Sequence, residues 1–334
     1  MVNVILFAAC AGRIVRCMRD RVLIAGAGAV GSVVGGLLAA AGSAVTLLGR
    51  RAHVDAVRAR GLALDGLFGV HRVTGLQCAT AATELDDSFG AIFLTVKTYD
   101  ADAMLDEVRP LLAGDGVLVC MQNGLGTLER AIGALGRARV LGARVIFGAE
   151  LPTPGRATVT VCADPVSIGA LEPEVQARAV AWARVLSDAG IPAESTSGIV
   201  ADLWAKVFYN AALNPLGALL DLPYGALAED ADARAVMNLA IDEAFAVART
   251  AGIALRWPDA EAYRGEFYGR LVPATARHRS SMLQDLARGR PTEIDAINGY
   301  VAARGNALGV ATPTNTTLTR LIRARARLSS SWKH

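Results

Sequence analysis

The chain has 334 residues, of which 53% are hydrophobic and 19% are charged, with a formal net charge of +3 at pH 7. This length favours two domains over one. The basic residues form no stripe, and no apolar run reaches about 18 residues, so we expect neither nucleic-acid binding nor a membrane span. The five cysteines and four histidines are dispersed, which argues against a metal site and favours reduced thiols in a cytoplasmic protein.

The first 17 residues differ in character from the rest of the chain. An apolar run over Val2–Ala11 precedes Arg13 and Arg16, whereas a secretory signal carries its positive charge before the apolar run. We therefore expect residues 1–17 to be an extension outside the fold, with the first strand beginning near Arg21.

Strand and helix patterns alternate from Arg21 to about residue 197, which predicts βαβ units and a parallel sheet. Two hairpins are also expected, one pairing Leu62–Leu64 with Arg72–Leu76 and the other pairing Arg156–Cys162 with Val166–Gly169. The other predicted strands are Val22–Ala25, Ala44–Leu48, Ala91–Val96, Val117–Met121, Val140–Ile146 and Ala193–Thr196, and the helices are Val30–Ala41, Ala101–Leu112, one from Thr127, and Val175–Ala189.

Only helical patterns follow Ser197. The sequence therefore predicts an α/β protein, in which an N-terminal Rossmann-type parallel-sheet domain at 18–197 is followed by an all-α C-terminal domain at 198–329. The predicted helices of the second domain are Ile199–Leu220, Ala231–Ala251, Asp259–Tyr268, Met282–Ala287, Thr292–Leu308 and Asn315–Leu328.

A glycine-rich turn follows the first predicted strand and opens the first predicted helix. It reads Gly26-Ala27-Gly28-Ala29-Val30-Gly31, a GxGxxG motif in the context in which that motif binds dinucleotides. The first glycine permits a tight turn, the second lets the backbone approach a pyrophosphate, and the third allows the helix to pack closely on the strand. We therefore expect this loop to bind a dinucleotide.

The residues after the second strand indicate which dinucleotide. NAD sites usually place an acid there to hold the ribose 2′-hydroxyl, but this chain has Gly49-Arg50-Arg51. An arginine suits a 2′-phosphate through a charge-assisted fork. The sequence thus favours NADP(H). Arg50 is the expected ligand of the 2′-phosphate because it is the first arginine after the strand; two solvated arginines at a helix start are the alternative.

Two further polar residues follow predicted strands. Lys97 ends one strand and Asn123-Gly124 ends the next, and ligands of such sheets bind at the carboxyl ends of the strands. A lysine and an asparagine in these places can hold a ribose, a phosphate or a substrate carboxylate, although Asn-Gly is also simply a good turn.

The segment Leu203–Leu216 predicts an amphipathic helix with an unusual polar stripe. Lys206, Asn210 and Asn214 recur at i, i+4 and i+8 among apolar neighbours. Partial burial disfavours the ammonium form of a lysine, which suits proton transfer near neutral pH. Two amides beside it can fix an oxygen-rich small molecule, while a solvated polar face is the alternative.

Polar residues recur near the C-terminal end. Ser281 and Asp285 lie at i, i+4 on one predicted helix, and Pro291 and Glu293 fall in the first turn of the next. Proline and an acid are both favourable in a first turn. Ordinary helix capping is therefore an alternative to ligand binding.

Taken together and in their order along the chain, these motifs give the sequence a resemblance to the ketopantoate reductase (2-dehydropantoate 2-reductase) family over roughly residues 20–325. The resemblance implies NADP(H) as cofactor, Lys206 as the general acid, and Glu293 as a second catalytic residue near the nicotinamide-side ribose or the reacting group. It assigns Lys97, Asn123, Ala149 and Glu293 to the cofactor and Asn123, Lys206, Asn210, Asn214 and Ser281 to the substrate. The segments that carry it are Gly26–Gly31, Lys97, Asn123-Gly124, Lys206–Pro215, Ser280–Asp285 and Arg290–Asp295.

We therefore expect an oxidoreductase that uses NADPH to reduce a 2-oxo acid, foremost ketopantoate to pantoate in pantothenate biosynthesis. Its expected partner is this small molecule, and we consider a homodimer as its assembly. Asparagines are usual in the family where this chain has Tyr224 and His278, which leaves open a reductase of another carbonyl substrate. A catalytically silent NADP(H)-binding sensor is the second alternative.

Overall fold

A computed structural model describes residues 21–86 and 88–331, so the extension expected at residues 1–17 lies outside the described residues. Contacts between Cα atoms divide the chain into two compact units. The first unit runs to Gln122 and resumes over Thr127–Ile199. The second comprises Asn123–Gly126 together with the described residues from Val200 on.

The first unit is built on two sheets. Within its described residues, eight strands form the larger sheet, and four form the smaller one. In chain order the strands are β1 (Val22–Ala25), β2 (Val45–Leu48), β3 (Leu62–Gly66), β4 (His71–Val73), β5 (Gln77–Ala79), β6 (Phe89–Leu94), β7 (Leu112–Cys120), β8 (Val140–Arg144), β9 (Phe147–Thr153), β10 (Arg156–Cys162), β11 (Val166–Ala170) and β12 (Ala193–Ser195).

The larger sheet has the order β12-β11-β8-β7-β6-β1-β2-β5. Its neighbouring strands are parallel except for β8 and β11. Strands such as β1 are apolar and buried throughout, as parallel strands are when both faces of the sheet are covered. The helices of this unit are α1 (Ala29–Ala40), α2 (Arg51–Arg60), α3 (Ala101–Val108), α4 (Thr127–Leu135) and α5 (Gln176–Asp188).

The smaller sheet has the order β4-β3-β10-β9. The predicted hairpin that includes Leu62–Leu64 is confirmed as the antiparallel pair β3–β4. The second predicted hairpin is wrong, because β10 pairs with β9, whereas β11 pairs with β8 and β12 in the larger sheet. The true turn is Pro154-Gly155, where Gly155 has a φ of +82° that favours glycine.

The described residues of the second unit form helices and no strand, which confirms the predicted fold class of a parallel-sheet domain followed by a helical one. No helix in the described part of the chain is long and apolar enough to cross a membrane. The helices are α6 (Ile199–Leu220), α7 (Tyr224–Glu229), α8 (Ala231–Thr250), α9 (Ala260–Glu266), α10 (Val272–Ala274), α11 (Ser281–Ala287), α12 (Asn298–Leu308) and α13 (Pro313–Ser331), with a π-helix at Phe267–Leu271.

Two predicted helices end or begin elsewhere. The helix predicted at Ala101–Leu112 ends at Val108, because a 3-10 turn containing Pro110 leads directly into β7. The helix predicted at Thr292–Leu308 begins only at Asn298, after a separate 3-10 turn at Ile294–Ala296. Glu293 is therefore the residue before a short turn and does not lie in the first turn of α12.

Candidate active site

The glycine loop between β1 and α1 has the geometry that a dinucleotide requires. Gly26 has a φ of +115°, and a Cβ on it would lie 2.6 Å from the backbone nitrogen of Val96. A Cβ on Gly31 would lie 2.2 Å from the carbonyl oxygen of Gly26, whereas for a Cβ on Gly28 the nearest atom among the described residues beyond its chain neighbours is the same oxygen, 4.0 Å away. Gly28 caps α1 without a side-chain hydrogen bond, so the helix N-terminus suits a phosphate group.

Backbone and side-chain hydrogen bonds hold this loop in place. Both Gly26 N and Ala27 N donate to the carbonyl oxygen of Leu48 at the end of β2. The Thr95 hydroxyl donates to the Gly26 carbonyl oxygen at 2.8 Å, a contact that was not predicted from the sequence because Thr95 lies far along the chain. Ala29 and Val30 are the first two residues of α1.

Arg50 and Lys97 follow β2 and β6. Arg50 is the residue before α2, its side chain is 80% exposed, and its guanidinium lies 3.9 Å from the carboxylate of Asp100. Lys97 precedes the 3-10 turn Thr98–Asp100. The third predicted cofactor residue, Ala149, lies within β9 of the smaller sheet and pairs with Val159.

Three predicted site residues of the second unit form one hydrogen-bonded chain. The ammonium of Lys206 donates to Asn123 Oδ1 at 2.6 Å, and Asn123 Nδ2 donates to Glu293 Oε2 at 3.2 Å. Glu293 is buried and Asn123 and Lys206 are half-buried. An amide that accepts from an ammonium and donates to a carboxylate has only one suitable orientation, so this chain fixes the direction of the lysine.

Gly124 explains how Asn123 reaches Glu293. Its φ is +79°, and a Cβ on it would lie 2.3 Å from the carbonyl oxygen of Ala296. The next residue, Leu125, donates its N–H to the same oxygen at 2.9 Å. The Asn-Gly sequence therefore does more than turn the chain, because it packs the backbone against the 3-10 turn that follows Glu293.

The predicted polar stripe lies on α6. Asn210 and Asn214 are 7% and 5% exposed, which excludes a solvated polar face for these two residues, and Lys206 is half-buried. Pro215 lies inside the same helix and has no N–H to donate to the carbonyl oxygen of Ala211.

A buried asparagine compensates for this proline. Asn298 Nδ2 donates to Ala211 O at 2.9 Å and to Asn315 Oδ1 at 3.0 Å. Asn298 was not predicted from the sequence. Pro215 within a helix signals that Ala211 needs another donor, but no local pattern says which residue supplies it.

The end of the stripe is occupied by an aromatic pair. The Tyr224 hydroxyl donates to Asn214 Oδ1 at 2.6 Å, and burial raises the pKa of Tyr224 well above its usual value. The rings of Tyr224 and His278 meet edge to face with centroids 5.3 Å apart. These are the two positions at which the resemblance leads us to expect asparagines.

Helix capping falls to Ser280 rather than Ser281. The Ser280 hydroxyl accepts from Met282 N and donates to the carbonyl oxygen of Asn214 at 3.0 Å. Ser281 is the half-buried first residue of α11, and Asp285 lies one turn later. In residues 21–86 and 88–331, no group of His, Cys, Asp and Glu side chains could hold a metal ion.

Two family models match the chain. The model described as "Ketopantoate reductase PanE/ApbA" matches residues 22–173, and the model described as "Ketopantoate reductase PanE/ApbA C terminal" matches residues 198–326. Among curated proteins, a 2-dehydropantoate 2-reductase of Aquifex aeolicus is 35% identical over 91% of this chain and 96% of its own. One from Pyrococcus horikoshii is 31% identical over 94% of this chain and 100% of its own.

Solved structures agree with these matches. A PanE/ApbA family ketopantoate reductase from Ralstonia eutropha superposes with a TM-score of 0.82 at 32% identity, covering 93% of this chain and 99% of that one. D-mandelate dehydrogenase, solved with NADH and anilino(oxo)acetate, gives a TM-score of 0.84 at 28% identity with the same coverage. The matched models, the identity along nearly the whole chain and the shared fold show that this chain belongs to the ketopantoate reductase family.

Proposed function

We propose that this chain is an NADPH-dependent reductase of a 2-oxo acid, with ketopantoate as the leading substrate. The observation that carries the proposal is the hydrogen-bonded chain Lys206–Asn123–Glu293. In this chain the buried carboxylate of Glu293 holds the amide of Asn123, and that amide orients the ammonium group of Lys206. A binding protein that only sensed the cofactor would need no oriented proton donor. The curated relatives are named 2-dehydropantoate 2-reductase, which agrees with this chemistry.

The proposed roles of the residues follow from their chemistry. When bound, the nicotinamide supplies the hydride that reduces the keto carbon. Lys206 holds a proton at Nζ, stabilises the negative charge that develops on the keto oxygen, and then donates the proton to that oxygen. Glu293 holds Asn123, and Asn123 directs Lys206. We assign Asn210, Asn214 and Ser281 to orientation of the substrate.

The first unit fits the proposed cofactor. The open side of Gly28 and the uncapped start of α1 suit a pyrophosphate. Among the described residues, Arg50 makes a long surface contact with Asp100, and such contacts contribute little, so it can exchange this contact for a 2′-phosphate. This choice of NADP(H) over NAD(H) is a proposal, as are the predicted contacts of Lys97 and Ala149.

A different 2-oxo acid is the second candidate. Tyr224 occupies the oxygen of Asn214, and one relative of similar fold is a D-mandelate dehydrogenase solved with NADH and anilino(oxo)acetate. A substrate with an aromatic substituent is therefore the main competitor of ketopantoate. The homodimer and the cytoplasmic location expected from the sequence remain predictions.

One assay tests these proposals together. NADPH or NADH oxidation is followed by absorbance with ketopantoate, small aliphatic 2-oxo acids and an aryl-substituted 2-oxo acid. We expect saturable oxidation of NADPH, faster than that of NADH at equal concentration. Absence of turnover with every 2-oxo acid, despite measurable cofactor binding, would support the sensor instead.

A further inference from the structure

His53 is a buried histidine with hydrogen bonds at both ring nitrogens. It lies in the first turn of α2 and is 7% exposed. Gly155 N donates to Nδ1 at 3.1 Å, and Nε2 lies 3.0 Å from the Ser32 hydroxyl. A backbone N–H can only donate, so Nδ1 carries no proton, and a neutral imidazole then carries its proton on Nε2. Nε2 is therefore the donor to Ser32, and burial, which lowers the pKa of His53, favours this neutral form.

Ser32 connects this imidazole to the glycine loop. It is fully buried on α1, and its N–H donates to the carbonyl oxygen of Gly28 at 2.8 Å. Because its hydroxyl accepts from His53, the hydroxyl hydrogen can point to the carbonyl oxygen of Ala27, 3.5 Å away. The donors and acceptors thus follow one order: Gly155 N–H donates to His53, His53 donates to Ser32, and Ser32 can donate to the Ala27 carbonyl oxygen of the glycine loop.

His53 also belongs to the segment that carries Arg50. Its own N–H donates to the carbonyl oxygen of Arg50 at 3.0 Å. Gly155 lies in the turn between β9 and β10, close enough to α2 that a Cβ on it would lie 3.2 Å from the Cβ of Ala56. One residue therefore joins three segments: its side chain contacts Ser32, next to the glycine loop, and Gly155 in the β9–β10 turn, and its backbone N–H is bonded to Arg50.

We propose that His53 is a positioning residue for the cofactor. Its hydrogen bonds with Ser32 and Gly155 fix the position of the glycine loop relative to the segment that carries Arg50. The proposal rests on the proposed function in one respect, that this loop and Arg50 bind NADP(H). It differs from a purely structural role because it requires cofactor affinity to depend on His53 in protein that remains folded.

The experiment compares variants that remove one or both hydrogen bonds. His53→Asn retains an acceptor near Nδ1, His53→Gln retains a donor near Nε2, and His53→Phe retains neither. Ser32→Ala removes the connection from the opposite end and serves if the His53 variants fold poorly. His71→Gln is the matched control, because His71 also has a ring nitrogen bonded to the backbone, at Phe68 O, but lies in the β3–β4 hairpin.

Dissociation constants for NADPH and NADH are measured by fluorescence titration, alongside Tm and steady-state kinetics. We expect His53→Phe to raise both constants by about tenfold, the effect of leaving buried hydrogen-bonding partners unpaired, and to raise the KM for NADPH with kcat nearly unchanged. Ser32→Ala should act in the same direction, and His71→Gln should bind as the wild type does.

Two results would overturn the proposal. If wild-type protein binds NADPH and both His53→Phe and Ser32→Ala bind it within twofold of wild type, whatever their Tm, His53 is only a structural residue and the proposed function stands. If wild-type protein binds neither cofactor, both proposals fail.

Discussion

Tyr224 and Asn214 share one buried hydrogen bond of 2.6 Å, in which the phenol hydroxyl donates to the amide oxygen. The NH₂ group of that amide remains a donor, and its oxygen keeps a second lone pair. Asn214 can thus offer a donor to a carboxylate or hydroxyl oxygen, while one lone pair of its oxygen is already engaged by Tyr224. This arrangement bears directly on which 2-oxo acid the site prefers.

We predict that the double variant Tyr224→Asn/His278→Asn improves ketopantoate turnover. Replacing both side chains frees Asn214 and supplies two amides, and a site with complementary polar groups discriminates strongly for a substrate hydroxyl. We expect kcat/KM for ketopantoate to rise by about tenfold or more. Tyr268→Phe is the control, because its hydroxyl donates to Asn238 Oδ1 at 2.8 Å in a separate Tyr–Asn pair. Efficient wild-type turnover of ketopantoate that the double variant does not improve would show that Tyr224 and His278 do not limit the turnover of this substrate.

Lys206→Ala should lower kcat by about 10²–10⁴-fold, the usual contribution of a positioned acid. NADPH affinity should change little, since the proposed role concerns the keto oxygen and not the dinucleotide. Steady-state assays and fluorescence titration measure the two quantities. A variant with unchanged Tm and near-normal kcat would remove Lys206 from the mechanism.

Arg50→Ala should weaken NADPH binding and leave NADH binding nearly unchanged, because only NADPH carries the 2′-phosphate. A charge-assisted hydrogen bond contributes about 1.5–3 kcal/mol. Arg51→Ala is the matched control, since Arg51 is exposed in the adjacent position. If Arg50→Ala weakened the binding of both cofactors equally, or if Arg51→Ala had the larger effect on NADPH binding, Arg50 would not be the residue that binds the 2′-phosphate.

Gly124→Ala should lower kcat in protein that still folds, as its Tm will show. The new Cβ would lie 2.3 Å from the carbonyl oxygen of Ala296, and the φ of +79° is unfavourable for alanine. The backbone must therefore shift, and we expect the shift to move Asn123 away from Glu293. Gly133→Ala is the control, because Gly133 lies in α4 and its added Cβ would have no neighbour within 4 Å among the residues that the structure describes. That substitution should stabilise the fold by about 0.5–1 kcal/mol. Full activity of Gly124→Ala would argue against a fixed Asn123.

The stability contributed by His53 should depend on pH. Burial lowers the pKa of the folded-state imidazole below its ordinary value of 6.5, so between these two values the unfolded chain binds more protons and stability rises with pH. The contribution is complete above 6.5 and is lost as the pH falls below it. The Tm difference between wild type and His53→Gln, measured at about pH 5.5 and about pH 7.5, should be larger at the higher pH. A difference that grows toward low pH would contradict a neutral buried His53.

Local pattern was enough to predict the parallel sheet, the helical second half and the polar stripe of α6, because each has its own residue periodicity. It failed for the hairpin that was expected to join Arg156–Cys162 to Val166–Gly169. Ala163-Asp164-Pro165 looks like a hairpin turn, but pairing depends on which sheet a strand completes, and β10 and β11 complete different sheets.

Three of the predicted site residues, Lys206, Asn123 and Glu293, lie in one hydrogen-bonded chain, an arrangement that the sequence could not predict. Lys206 and Asn123 are 83 positions apart, and Asn123 and Glu293 are 170 apart, so no spacing rule connects them. The hydrogen bonds of Asn298 and His53 were missed for the same reason, since their partners include distant backbone groups, Ala211 O for Asn298 and Gly155 N for His53.

The four residues Asn123–Gly126 belong with the second unit, although the chain on either side of them belongs with the first. The polypeptide therefore passes between the units three times, at 122/123, 126/127 and 199/200. Dividing the chain at the last of these points would separate the sheet-containing part from the helical part, but it would place Asn123 on one fragment and Lys206 on the other. Any exchange of the helical half between relatives must carry this tetrapeptide along with it.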